Sequence, residues 1–218
     1  MTKIFTIFIL RNLLKKQMTN YTLFIWLASF ATMNPSKIII ISAPSGTGKN
    51  TIIKKLKEKR EDLEHCISTT TRPPRGGETE GTHYYFTTPH QFKEMIANHE
   101  LLEWATILNN YYGTTKKEIS RIHSLNKIPI LDIDIQGGLQ IKNSDSQAIM
   151  IFVIPPSIEE LKARLKNRNS ESDEEIKKRL ELAEEELLYQ NEYDHVVMND
   201  NLEEAVSKID AIITSEIA

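Results

Sequence analysis

One stretch limits what this chain can fold into: Lys37-Ile-Ile-Ile-Ile-Ser42, followed at once by Ala43-Pro-Ser-Gly-Thr-Gly-Lys-Asn50. A short, continuous β-branched run is the pattern of a strand buried on both faces. Gly46 and Gly48 permit a tight turn, and from Lys49 to Lys59 the apolar Ile52, Ile53 and Leu56 recur at helical spacing. Strand, glycine turn, lysine and helix in that order form a cradle for a polyphosphate. Backbone N–H groups converge on the anion, the helix N-terminus adds positive potential, and Lys49 reaches the outer phosphates. The pattern G-x-x-x-x-G-K-[ST] is met with two departures. Ala43 replaces the first glycine, and Asn50 replaces the hydroxyl residue that holds Mg²⁺. The amide oxygen of Asn50 or the hydroxyl of Thr51 is left as the donor.

Further apolar runs at Ile128–Ile133, Ala148–Ile154 and His195–Met198 read as buried strands separated by helical stretches. Alternation of this kind predicts βαβ units, hence an α/β core with a parallel sheet covered by helices on both faces. Two stretches break the rhythm. Ser68–Gly113, rich in Thr, Gly, Pro and Tyr, reads as a mixed inserted subdomain, with one helix starting at Thr88-Pro-His-Gln91. Ser157–Gln190 is charged and helical, with a break near Asn167–Ser172. Ser157-x-x-Glu160 and Ser172-x-x-Glu175 are capping boxes, which predict two helices.

A hydrophobic share of 40% and a charged share of 26% exclude wholesale disorder, and a net charge of −3 gives no whole-protein grip on nucleic acid. The single cysteine, Cys66, excludes an internal disulfide or a cysteine-rich zinc cluster and reads as a small core residue. The six histidines have no metal-ligand spacing.

Residues 1–33 stand apart. They carry Lys3, Arg11, Lys15 and Lys16, and the first acid of the chain is Glu58. Their apolar runs, Ile4–Leu10 and Tyr21–Ala31, are each shorter than the roughly 20 residues that cross a bilayer. The segment imitates a secretory signal ending at Ser29-Phe-Ala31, and also a transit peptide. The reading adopted is a start at Met18 or Met33, with residues 1–33 excluded from the fold.

Downstream come Ser68-Thr-Thr-Thr-Arg-Pro-Pro-Arg-Gly-Gly-Glu78 and Gly81-Thr-His-Tyr-Tyr-Phe86. Two arginines around two prolines make a rigid basic fork, and planar guanidinium donors suit a phosphate monoester. Alone they could equally be solvated surface residues. They are followed in order by Leu101-Leu-Glu-Trp-Ala105, Tyr111-Tyr-Gly-Thr114 and Leu131-Asp-Ile-Asp-Ile-Gln-Gly137. With these motifs the chain, from about Ile38 to its C-terminus, resembles the guanylate kinase family, whose members move the γ-phosphoryl of ATP onto GMP.

The resemblance implies a P-loop three-layer parallel sheet core (37–67, 114–156, 192–218), an inserted mixed α/β GMP-binding subdomain (68–113) and a helical lid (157–191), within a kinase-like domain spanning 34–218. It implies that Ala43, Pro44, Ser45, Gly46, Thr47, Gly48, Lys49, Asn50, Thr51 and, across the adenine-side loop, Asn199 contact ATP. Arg72, Arg75, Tyr84 and Tyr112 would hold the GMP phosphate. Glu103 would accept from guanine N1–H and the 2-amino group, a match because guanine offers two adjacent donors there. Ser68, Thr114 and Asp134 would complete the base contacts. Asp132, with Asn50, would hold Mg²⁺. Asp132 and Asp134, two apart on an apolar strand, would project to one face and need partners. Arg164, Arg168 and Arg179 of the lid, with Lys49, would neutralise the phosphoryl group in flight. The expected partners are ATP and GMP (with dGMP), no nucleic acid and no stable membrane span, in a cytoplasmic monomer or homodimer.

Two other classes compete. Scaffold-protein domains keep this fold without catalysis but lose the phosphate loop. Lys49, Gly46 and Gly48 are intact here, and Asn50 alone points that way. A P-loop kinase for another small acceptor is opposed by Glu103, Ser68 and Thr114.

Overall fold

The computed structural model describes residues 37–144, 147–166 and 173–218. The expectations for Met18 and Met33, for the Ser172 cap and for Arg168 lie outside the described residues. In chain order the elements are β1 (Ile38–Ser42), α1 (Lys49–Lys59), β2 (Leu63–His65), β3 (Thr69–Thr70), β4 (Tyr85–Phe86), α2 (Pro89–Ala97), β5 (Leu101–Ile107) and β6 (Asn110–Thr115). Then follow α3 (Lys116–Ser124), β7 (Ile128–Asp132), α4 (Ile135–Ser144), β8 (Ala148–Ile154), α5 (Ile158–Lys166), α6 (Asp173–Leu187), a 3₁₀ turn (Leu188–Glu192), β9 (His195–Met198) and α7 (Leu202–Ile217).

The isoleucine run sits where its composition demands. β1 is the middle of a five-stranded parallel sheet, order β2-β7-β1-β8-β9, and all five of its residues are buried. Alternate side chains point to opposite faces. Ile39 and Ile41 therefore pack with Ile52, Ile53 and Leu56 of α1 and with Val206, Ile209 and Ile213 of α7. Ile38 and Ile40 pack on the other side with Ile119 and Ile122 of α3 and Ile141 of α4. Each such isoleucine contributes about 1.5–3 kcal/mol by leaving water. Two apolar layers around one sheet give the three-layer α/β architecture. Cys66 lies in the second layer, 2% exposed, and burial pushes its thiol pKa well up.

β9 corrects one expectation. It is the edge of the sheet, and Val196 and Met198 are 43% and 46% exposed, with Val197 packed in the core. An edge strand with one covered face needs only alternate apolar residues inside.

Between β2 and β7 the chain makes a second sheet, order β4-β3-β6-β5, with β3–β4 parallel and the other pairs antiparallel. Its helix α2 starts at the expected capping box: Thr88 accepts from the Gln91 N–H, and the Gln91 side chain reaches back to the Thr88 N–H. Phe92 of α2 is fully buried and stacks on Tyr111 of β6 at 5.3 Å. α5 and α6 share a small cluster of their own, Leu161, Leu165, Ile176 and Ala183. Ser157 caps α5 by accepting from the Glu160 N–H. Among the described residues no helix is long and apolar enough to cross a membrane.

Candidate active site

The end of β1 is pinned to the end of β7, because Ser42 Oγ donates to the Ile133 carbonyl at 3.0 Å. The chain then folds on itself. Both the N–H and the hydroxyl of Thr47 donate to the Pro44 carbonyl, at 3.2 and 2.7 Å. Gly46 and Gly48 hold φ of +95° and +96°, a region that side chains rarely enter. A Cβ on Gly46 would also fall 2.8 Å from Leu165 Cδ2. α1 begins after Gly48 with no side-chain cap and no acid in its first turn; the Thr51 and Ile52 N–H groups donate to the Gly48 carbonyl, and those of Lys49 and Asn50 are left to face an anion. Ala43 is half-buried, Pro44 and Thr47 are buried, and Ser45, Asn50 and Thr51 are exposed.

Two distant side chains reach this loop, and a third braces one of them. Asn199, after β9, is buried; its Nδ2 donates to the Thr47 carbonyl at 2.7 Å, and its own carbonyl accepts from Arg164 Nη1 at 3.1 Å. Arg179 Nη1 donates to Ser45 Oγ at 3.1 Å. Glu160 holds the other edge of Arg164 at 3.0 Å.

Lys49 Nζ lies 2.5 Å from Asp132 Oδ1 and 3.2 Å from the Ile133 carbonyl. Asp132 is the last residue of β7, but Asp134 has left the strand. Its carboxylate accepts from the Gly137 N–H at 2.8 Å and so caps α4. The expectation that both acids project from one face of a strand is corrected: the strand stops between them, and a helix cap supplies the partner that Asp134 needed. Asp132 and Asn50 line one cavity of about 410 Å³, with His65 and Lys54. An amide oxygen and a carboxylate are hard donors, a set that suits Mg²⁺ completed by phosphate and water. Among the described residues no three His, Cys, Asp or Glu side chains gather into a metal cluster.

The second sheet carries the other candidates. Arg72 and Glu78 form a two-point ion pair, at 3.0 and 2.7 Å, and the Arg72 guanidinium sits over the Tyr84 ring at 5.3 Å. Tyr84 and Tyr112 meet edge to face at 6.1 Å. Arg75 is exposed, and Ser68 is half-buried with its carbonyl accepting from the Tyr85 N–H at 2.9 Å. Glu103 and Thr114 are paired across β5 and β6 and lie 3% and 0% exposed. Glu103 Oε1 and Thr114 Oγ1 are buried without a hydrogen-bond partner. Burial pushes the Glu103 carboxyl up to about 7, with Thr114 holding part of the rise back and Asp134 adding to it. Buried polar atoms without partners are rare in folded proteins, and two of them on paired strands mark a place for a ligand.

Sequence reasoning passed over two acids. Glu186 lies two turns after Arg179 on the same face of α6, and its Oε2 is buried without a partner. Burial raises its pKa; Lys49 and the Ser45 N–H oppose that rise and Asp134 adds to it. Glu118 of α3 is 2% exposed and accepts from Arg121 and from the Ile67 N–H. Glu186 carries no local signal, because it stands in a charged helix. Glu118 does carry one, since Thr115-x-x-Glu118 is a helix-capping pattern and Arg121 is one turn on in the same helix, but the Ile67 N–H comes from another segment.

A parallel sheet whose central strand runs into a glycine loop, a lysine and an uncapped helix defines a phosphate-loop α/β protein. The sequence profile of guanylate kinase matches residues 35–216, and the chain belongs to that family. It is 48% identical over 179 residues to the guanylate kinase of Caldanaerobacter subterraneus subsp. tengcongensis, covering 82% of this chain and 87% of that protein. Against a guanylate kinase of Clostridium perfringens the identity is 45% over 183 residues, covering 84% and 85%. The crystal structure of guanylate kinase from Anaplasma phagocytophilum superposes with a TM-score of 0.67 at 29% identity, covering 85% of this chain and 87% of that one.

Proposed function

We propose that this chain transfers the γ-phosphoryl of ATP to GMP, giving ADP and GDP. The observation that carries the reading is that one fold holds both an open phosphate loop at Gly46–Lys49 and, on the second sheet, a Glu103 carboxyl whose buried Oε1 has no hydrogen-bond partner. The loop N–H groups and Lys49 take the ATP phosphates, with Ala43 to Thr51 forming the cradle and Asn199 bracing it. Glu103, Ser68, Thr114 and Asp134 take guanine, and Arg72, Arg75, Tyr84 and Tyr112 take its phosphate. The GMP phosphate oxygens are already ionised, so attack on the γ-phosphorus requires no strong base. Catalysis comes from alignment and charge neutralisation. Arg164, Arg168 and Arg179, on the lid segment 157–191, neutralise charge on the moving phosphoryl group. Asp132 and the Asn50 amide oxygen would hold Mg²⁺, which when bound spreads charge off the β- and γ-phosphates. Closure of the lid and of the GMP subdomain excludes water that would otherwise hydrolyse ATP. The reading includes dGMP as an acceptor and a cytoplasmic monomer or homodimer.

The test is ADP release by the purified chain, with GMP, dGMP or AMP as acceptor, with and without Mg²⁺. GMP-dependent, Mg²⁺-dependent turnover with little from AMP is expected. Equal rates with AMP, or none with GMP, would refute it.

A further inference from the structure

Arg72 is not a free cation waiting for a phosphate. Its Nη1 donates to Glu78 Oε2 at 3.0 Å and to the Pro73 carbonyl at 2.8 Å, and its Nη2 donates to Glu78 Oε1 at 2.7 Å. Three of the five guanidinium N–H groups are spent on Glu78 and Pro73, and the Tyr112 hydroxyl also leans on the guanidinium, which leaves the rest for another acceptor. Its backbone is fixed too, since the Arg72 N–H donates to Thr70 Oγ1 at 3.2 Å. The same Glu78 closes the loop on itself. Its Oε2 accepts from the Arg75 N–H at 2.7 Å, while its own N–H donates to the Arg75 carbonyl at 3.0 Å. Gly77, at φ +85°, supplies the left-handed turn between them. One carboxylate therefore sets the side chain of the first arginine and the backbone of the second.

Resting on the GMP reading above, we propose that Glu78 is a positioning residue for the acceptor phosphate, aiming Arg72 and fixing the Arg72–Glu78 loop before the substrate arrives. Two opposing effects decide its sign. Glu78 puts a negative charge near the site of an incoming dianion, which weakens binding. It also removes the freedom of a rotamer-rich side chain and keeps its remaining N–H groups pointed one way. At a partly exposed site the charge effect is screened by solvent and salt, so the ordering effect wins. Guanosine, which has no phosphate, should not sense Glu78 at all.

The experiment compares GMP with guanosine in direct binding titrations to the wild type, Glu78→Gln and Glu78→Asp. Removing charge-assisted bonds to Arg72 should weaken GMP about tenfold or more, with guanosine within about twofold. Glu78→Asp, one methylene short of reaching both Arg72 and Arg75, should fall between. In turnover, KM for GMP should rise more than kcat falls. Guanosine binding also reports that each variant is folded. Equal losses for GMP and guanosine, no loss for either, or tighter GMP binding in Glu78→Gln would each overturn the proposal. Failure of the guanylate reading looks different. A wild type that prefers another nucleoside monophosphate would still lose phosphate-dependent affinity on Glu78→Gln, measured against the matching nucleoside.

Discussion

On the proposed reading, a carboxylate aimed at guanine has to be stripped of water before guanine arrives, and Glu103 would bear that cost in the free protein. It is 3% exposed, and burial lifts its pKa to about 7. The unfolded chain ionises this group near its ordinary 4.5. The folded pKa is raised, so its contribution to stability is complete below about pH 4.5 and is lost as pH rises through 7. Above pH 7 the free protein keeps an ionised carboxylate in place at a cost on the order of 1–3 kcal/mol. Wild type should therefore lose stability between pH 5 and pH 8 relative to Glu103→Gln, read from urea unfolding at both pH values. The ligand reverses the sign. Guanine donates two hydrogen bonds and needs the ionised acceptor, so GMP affinity should climb through pH 6 to 7 and level off above it. Calorimetry in two buffers of different ionisation enthalpy should show a proton released on binding below pH 7. Affinity that stays flat across that window would remove Glu103 from the guanine site.

Helix α4 is shaped around that carboxylate. Asp134 caps it, and its third residue, Gly137, has no room for a methyl group: a Cβ there would sit 2.5 Å from Glu103 Oε2 and 3.1 Å from Glu103 Cδ. Gly137→Ala should displace Glu103, because a side chain 3% exposed has nowhere to retreat. Alanine favours a helix by about 1 kcal/mol over glycine, so thermal stability should change little while GMP binding falls about tenfold or more. Comparable losses of both would mean that the helix, not the site, had been damaged. This pairing also shows where the sequence could be read and where it could not. The capping box at Thr88 and the N-cap at Ser157 lie within three residues of their partners, so local chemistry reveals them, though the Glu160 carboxylate turns to Arg164 instead of back to Ser157. The isoleucine run, the glycine loop and the helix after it are equally local. Gly137 against Glu103, Arg179 against Ser45 and Asn199 against Thr47 join segments far apart in the chain, and only the fold brings them together. Asp134 was misread for a related reason. Alternation along an apolar run predicts a face, but it does not tell where the strand gives way to a helix.

The two sheets are joined through Glu118. On α3, which follows directly from β6 of the second sheet, it accepts from Arg121 Nε and Nη2 at 2.8 Å each. The Ile67 N–H, on the connection from β2 to β3, donates to it at 3.0 Å, and the Tyr85 hydroxyl of β4 lies at 3.4 Å. The core sheet, the second sheet and the helix between them therefore share one carboxylate that is 2% exposed. Burial alone would raise its pKa, but Arg121, the Ile67 N–H and Tyr85 outweigh that and lower it. A lowered folded pKa means stability that is present above about pH 4.5 and lost as pH falls through the folded value. Glu118→Gln keeps the shape and removes the charge. It should cost on the order of 1–3 kcal/mol at pH 7, because Arg121, 40% exposed, can turn to water while the Ile67 N–H keeps a weaker acceptor. Toward pH 3 the wild-type carboxyl gains its proton as pH falls through the lowered folded value, so the gap between the two proteins should narrow. Urea unfolding at both pH values checks this, in a Trp26→Phe background so that Trp104 of the second sheet is the sole tryptophan, followed once by its fluorescence and once by far-UV circular dichroism for the whole chain. If the joint couples the sheets, the two probes coincide in the wild type and separate in Glu118→Gln, with the second sheet melting first. A loss of equal size at pH 3 and pH 7, with the probes still coincident, would mean that Glu118 merely fills space.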